Sequence, residues 1–221
     1  MEDYKARFKD AEWFNFSDPI IVGGAGGTGS NFCYAAGSAG YNIYVYDYDT
    51  YDKTNIAGQF VKPSQIGKPK VEALIDNIYE FRKEYITGVN EKYTEDSMVS
   101  PIMVSAFDNM EARHVMFKKW SEQENPGLFI DMRMDAENFQ IYNVSPKFIK
   151  LFKEKHLPNE ADVPEPRCTL KQTTHVGMVC AGLAFSFLTN YITNQREGIN
   201  LRRIPFKFEL NIPAFHGRKI S

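Results

Sequence analysis

Apolar positions along the chain fall into short blocks that alternate between two periods. Ile20, Ile21 and Val22 form an unbroken apolar run that ends in glycine, the pattern of a strand buried on both faces. Residues 30–39 then read as a helix closed by Gly40. Residues 42–47, with Ile43 and Val45 between tyrosines, predict a second strand. Val71, Leu74, Ile75 and Ile78 recur at helical spacing and predict a helix over 69–81, with Pro69 in its first turn. Further strands are expected at 101–107, 128–134, 139–144 and 204–211. A helix runs from Asp108-Asn109 to about residue 123, with Asp108 in the N-cap position. A short strand somewhere in 84–100 is expected without a fixed place.

The remaining stretches lack such periodicity. Residues 50–68 read as a loop with short turns. Residues 146–172, with Pro146, Pro158, Pro164 and Pro166, read as a long crossover loop. At the start, residues 1–18 are aromatic and amphipathic. Tyr4 and Phe8 share one face of an expected helical segment that Asp18-Pro19 ends. Between Gln172 and Gln195 there is no Lys, Arg, Asp or Glu. A membrane span needs about 20 such residues. Gly177, Gly182, Ser186, Thr189, Asn190 and Asn194 interrupt this one, so a buried helix at a subunit interface is expected. Strands that alternate with helices and then follow one another predict a single α/β domain over 1–221. Its sheet is Rossmann-like and mainly parallel, with appended antiparallel strands.

Composition narrows the picture. The chain has 221 residues, is 43% hydrophobic and 24% charged, and carries a formal net charge of −2. That gives enough chain for one core and no global charge for nucleic acid. Lys and Arg gather at 147–155 and 202–207, which reads as a solvated basic face. The three cysteines, Cys33, Cys168 and Cys180, form no C-x-x-C pair, which excludes a four-cysteine zinc site. Sparse cysteine and a charged start without an apolar signal core lead us to expect a cytoplasmic protein.

The candidate chemistry lies after the first strand. Gly24, Gly26 and Gly29 have the G-x-G-x-x-G spacing, with Gly27 between them, at a strand-to-helix turn. Such a turn permits close backbone approach and presents free N–H groups to a nucleotide phosphate. Asp47 follows Gly24 by 23 residues, near where that fingerprint places an acid for the ribose hydroxyls. The other reading is a carboxylate that caps a strand end. Lys68 and Lys70 stand at the start of a helix, where cations are unfavourable unless an anion is near, so Lys70 either faces a phosphate or is a solvated lysine. Asp108 is either the helix cap or a carboxylate beside the nucleotide.

Gly24-Ala25-Gly26-Gly27-Thr28-Gly29-Ser30, Asp47-Tyr48-Asp49, Asn55, Gln59, Ile66-Gly67-Lys68-Pro69-Lys70 and Asp108-Asn109 with Arg113 occur in one order and spacing. Over residues 15–200 this order resembles the adenylyltransferase superfamily of ubiquitin-activating enzymes and the bacterial MoeB, ThiF and HesA proteins. The resemblance implies ATP-dependent activation of a carboxylate through an acyl-adenylate. The substrate would be the C-terminus of a ubiquitin-like or sulfur-carrier protein, or another carboxylate. It further implies that the glycine turn and Asp49 hold the nucleotide, that Asp47 takes the ribose, and that Asn55 and Gln59 contact phosphates. Lys70 would stabilise charge at the reacting phosphates and Asp108 would bind Mg²⁺. Arg113 resembles the family's helix arginine, with a structural role equally open. A homodimer is expected.

The sequence departs from the family pattern at Gly58, where an arginine normally precedes the glutamine, and in lacking the cysteine pairs of structural zinc. Arg7 is a candidate for an arginine supplied to a partner subunit. Cys168 lies near the position of a thioester- or persulfide-forming cysteine, or is an incidental thiol. His175 is an acid or base near that loop, or simply a polar residue entering a helix. Cys33 and Cys180 are expected to be packing residues. Two other readings stand beside adenylation. One is a weak or inactive binding subunit, suggested by Gly58. The other is a nicotinamide-dependent oxidoreductase, which leaves residues 55–70 unexplained.

Overall fold

The computed structural model describes residues 8–14, 16–159, 173–198 and 201–220. Its centre is an eight-stranded sheet in the order β3-β2-β1-β4-β5-β6-β7-β8. The strands are β1 (Ile20–Gly23), β2 (Ile43–Tyr46), β3 (Thr87–Val89), β4 (Ile102–Ser105), β5 (Leu128–Asp135), β6 (Asn138–Val144), β7 (Lys207–Asn211) and β8 (His216–Ile220). β1 to β5 are parallel, and β6 to β8 continue the sheet antiparallel. The expected fold class is the observed one.

Helices cover both faces. Ile20 and Val22 point into one core together with residues of α1 (Gly27–Ser38), α2 (Lys70–Arg82) and α5 (Thr174–Glu197). Ile21 points into the other, built by α3 (Met110–Glu122) and α4 (Ile149–Lys155) around Phe117, Trp120, Phe129 and Phe152. Every residue of β1 is buried, as its unbroken apolar run requires. β1 lies between β2 and β4, so the order in which successive strands are added reverses there, and open α/β sheets bind ligands at such a switch point.

α5 is long and apolar enough to cross a membrane, yet it runs through the first core. Val176, Cys180, Ala184, Leu188 and Ile192 are buried at helical spacing. Gly177 lets it close on α1: a Cβ there would stand 3.1 Å from the Gly27 carbonyl oxygen. Cys33 and Cys180 are buried, as expected of packing residues, and burial pushes both thiols up.

Several local expectations need correction. Residues 9–10 and 12–14 form turns in which Phe8, Trp13 and Phe14 pack on one another and Trp13 packs on Phe185; the helical segment expected around Tyr4 and Phe8 falls mostly outside the described residues. Residues 1–7 lie outside the described part. Asp108 is not the helix cap; Asn109 is, and its Oδ1 accepts the Ala112 N–H at 2.8 Å. Pro69 is the N-cap of α2, with Lys70 its first helical residue. The crossover loop is helical at its start. Pro146 opens a 3-10 turn, and α4 follows because Phe152 fills a place between Phe117 and Tyr142. Residues 160–172 lie outside the described part. The unplaced strand is β3. The tail forms β8, whose polar, exposed residues give no apolar signal.

Candidate active site

The glycine turn joins β1 to α1 at the carboxyl edge of the sheet. Gly24 has φ +93°, and a Cβ there would lie 2.7 Å from the Ala106 carbonyl oxygen, so only glycine fits. At Gly26 an added Cβ meets nothing within 4 Å. That side of the turn is open. Gly26 is also the N-cap of α1, makes no side-chain cap and is followed by no acid in the first turn. Among the described residues the first N–H groups of α1 therefore have no side-chain acceptor, which is the condition for an anion site.

Asp47 closes the turn from the end of β2. Its Oδ2 accepts the Ala25 N–H at 2.7 Å and its Oδ1 accepts the Asp49 N–H at 2.9 Å. Burial raises its pKa, against the opposing effect of Lys70 and of these two bonds. Sequence reasoning placed this carboxylate but missed its bond to the glycine turn, which depends on the register of two parallel strands.

Lys70 arrives from the start of α2. Its ammonium donates to Asp49 Oδ2 at 2.7 Å, and its backbone N–H donates to the Asp49 carbonyl at 2.8 Å. The side chain is only 12% exposed. Burial works against its charge, but Asp47, Asp49 and Asp108 together outweigh it and raise the pKa. Asp108 itself is exposed, on the loop after β4.

Asn55 and Gln59 lie in the turn that follows. Asp52 Oδ1 accepts the Thr54 N–H at 2.6 Å, and Asn55 Oδ1 accepts the Asp52 N–H at 3.0 Å, a reciprocal cap on the 3-10 helix Lys53–Ala57. This leaves the Asn55 amide NH₂ as its group able to face a phosphate. Gln59 is buried, and its Oε1 has no partner among the described residues. The Thr174 hydroxyl donates to the Ala57 carbonyl, which ties this turn to the start of α5. Gly58 has φ −119°, a backbone open to any residue.

Arg113 takes the structural role of its two readings. It is buried, ion-paired with the fully buried Asp131, and donates to the Phe107 carbonyl and, at 3.0 Å, to the Met132 carbonyl. Arg133 Nε holds the other Asp131 oxygen at 2.7 Å. The sequence marks Arg113 through its resemblance, but carries no signature of its pairing with Asp131 beside Arg133. His175 is exposed, 3.7 Å from Glu137. Arg7 and Cys168 lie outside the described residues.

Glycine turn, Asp47, Asp49 and Lys70 thus form one bonded cluster, with Asp108 within electrostatic reach. A family model, that of the ThiF family, matches residues 13–216. The chain belongs to the ThiF family. Solved structures share the fold of this ThiF-family chain at low identity. PaaA is 16% identical, with a TM-score of 0.68 over 99% of this chain. Escherichia coli MccB solved with ATP is 15% identical, with a TM-score of 0.68 over 95% of this chain. The same enzyme with MccA-N7isoASN is 14% identical, with a TM-score of 0.69 over 98%. The chain spans 66%, 65% and 66% of the length of these three structures respectively. No curated protein matches it significantly in sequence.

Proposed function

We propose that the chain is an ATP-dependent adenylyltransferase that activates a carboxylate, most simply the C-terminus of a peptide or a ubiquitin-like or sulfur-carrier protein. The observation that carries this reading is the bonded cluster of Asp47, Asp49 and Lys70 around the uncapped start of α1. MccB, which has the same fold, has been solved with ATP and with AMPCPP and MccA, and this supports a nucleotide and a carboxylate-bearing partner here.

In the proposed reaction the substrate carboxylate attacks the α-phosphate in line. The P–O bond to pyrophosphate breaks and an acyl-adenylate forms. Such a displacement needs charge neutralisation and alignment more than covalent help. The N–H groups of α1 hold phosphate oxygens, Asp47 accepts from the ribose hydroxyls, and Lys70 brings a charged donor to the reacting phosphates. Mg²⁺ is commonly held by one or two carboxylates with substrate phosphates and waters, and the exposed Asp108 suits that donor set. Bound there, the ion would neutralise phosphate charge. On α5, Met178 and Val179 are 47% and 39% exposed, and we read this outer face as the contact for a second copy, to be tested by sedimentation.

One observation favours a second reading, a weak or inactive binding subunit: Gly58 supplies no guanidinium at the phosphate site. Calorimetric titration with MgATP, against NAD and a Lys70→Ala control, separates the possibilities. ATP binding that weakens in the control, followed by pyrophosphate exchange with a carboxylate substrate, is the expected result. Exchange gained only by Gly58→Arg selects the second reading. Tight NAD binding in place of ATP overturns both.

A further inference from the structure

Two aspartates flank Tyr48, and their bonds point different ways. Asp47 reaches back to the glycine turn, whereas Asp49 turns to Lys70 and grips it through both main chain and side chain. The isolated bridge between Thr50 and Pro69 fixes the two segments one residue further along. Three carboxylates act on the Lys70 ammonium: Asp47 from the end of β2, Asp49 beside it, and Asp108 from the loop after β4. Of these, Asp49 alone is hydrogen-bonded to it among the described residues, and the Asp49 side chain remains 47% exposed.

A lysine stem is flexible and its ammonium is a point charge, so a buried lysine between three acids has several resting places. The Asp49 contact selects one of them. A carboxylate is also a poor neighbour for a triphosphate, since like charges repel. We propose that Asp49 is a positioning residue that aims Lys70 along the open side of the glycine turn and does not itself contact the nucleotide. What Lys70 meets there rests on the adenylation reading; the grip of Asp49 on Lys70 does not.

The test uses the full chain as wild type, Asp49→Asn and Asp49→Glu. The rate at which an amine-acylating reagent modifies Lys70 is followed across pH by mass spectrometry, with Lys118 as internal reference. Calorimetry with MgATP and with adenosine runs in parallel, and thermal melts check the fold. Asp49→Asn should shift the Lys70 labelling profile to lower pH and raise its rate near pH 8 by about threefold or more, because loss of a nearby anion favours the neutral amine. Asp49→Glu should stay close to wild type. MgATP should bind about threefold or more weakly to Asp49→Asn, with adenosine unaffected. An unchanged labelling profile would overturn the proposal. So would a parallel loss of adenosine affinity, which would make Asp49 a direct ligand of the nucleoside. Failure of the wild type to bind MgATP would instead count against adenylation, and the labelling profiles would still decide the role of Asp49.

Discussion

Gly29 lies directly beneath Gly24: a methyl group added at Gly29 would stand 1.9 Å from the Gly24 carbonyl oxygen. The first helical turn of α1 is therefore pressed onto the turn that starts it, and the Ala106 side chain would lie 3.1 Å from the same added carbon. The glycines divide into two kinds, those that packing demands and those that leave space for something else.

Gly29→Ala should lower stability by about 2 kcal/mol or more, since backbone must move to admit the methyl group. Gly26→Ala should leave the melting temperature near that of wild type, because nothing lies within 4 Å of the added carbon. It should nonetheless weaken MgATP binding. Thermal melts and calorimetry on both variants check the contrast; equal melting temperatures would contradict it.

Lys70→Ala removes the ammonium that is tied through Asp49 and Asp47 to the glycine turn. MgATP affinity should fall by about tenfold or more, as expected for a lost hydrogen bond from a charged group, while adenosine binds as before. A proportional loss of adenosine affinity would place Lys70 elsewhere than at the phosphates.

Asp131 is fully buried between Arg113 and Arg133. Burial raises its pKa, but the two guanidinium groups prevail and hold its carboxyl below the usual range. A carboxyl with a depressed folded pKa adds stability above its unfolded pKa and loses it as pH falls through the folded one. The melting temperature should thus drop in the window below about pH 4, the ordinary aspartate value. Asp131→Asn should melt lower at neutral pH and show a flatter slope in that window. Identical slopes for variant and wild type would rule the triad out as the acid-sensitive element.

Both buried thiols, Cys33 and Cys180, should resist a thiol reagent at pH 8 while the protein is folded, because burial raises their pKa and blocks approach. With three cysteines in the chain, any fast-reacting thiol of the native protein is then Cys168. Peptide mapping after labelling reads this directly. Rapid modification of Cys33 would show that α1 opens.

Much of this fold can be read along the chain because local rules and global packing agree. The apolar run 20–22, the glycine spacing and the periodic Val71, Leu74 and Ile78 each specify their own element. Other features depend on residues far apart. Phe152 makes a helix out of a stretch rich in charge only because Phe117 and Tyr142 wait for it. Arg113 has no visible partner in the sequence until β5 brings Asp131 beside it. At the site, the order of acids and lysine was legible, but the grip of Asp49 on Lys70 was not, since 21 residues separate them. The choice of Asn109 over Asp108 as cap turned on one residue, the usual error at a helix end.

The bond from Thr174 to the Ala57 carbonyl joins residues 117 apart. A turn of the candidate site formed early in the sequence is thus tied to a helix made late. During synthesis the glycine turn and its acids leave the ribosome long before α5 can dock against them. The site should become competent only when nearly the whole chain has collapsed. Nucleotide affinity in growing or truncated chains would then report completed folding, rather than the presence of the motif that first draws the eye.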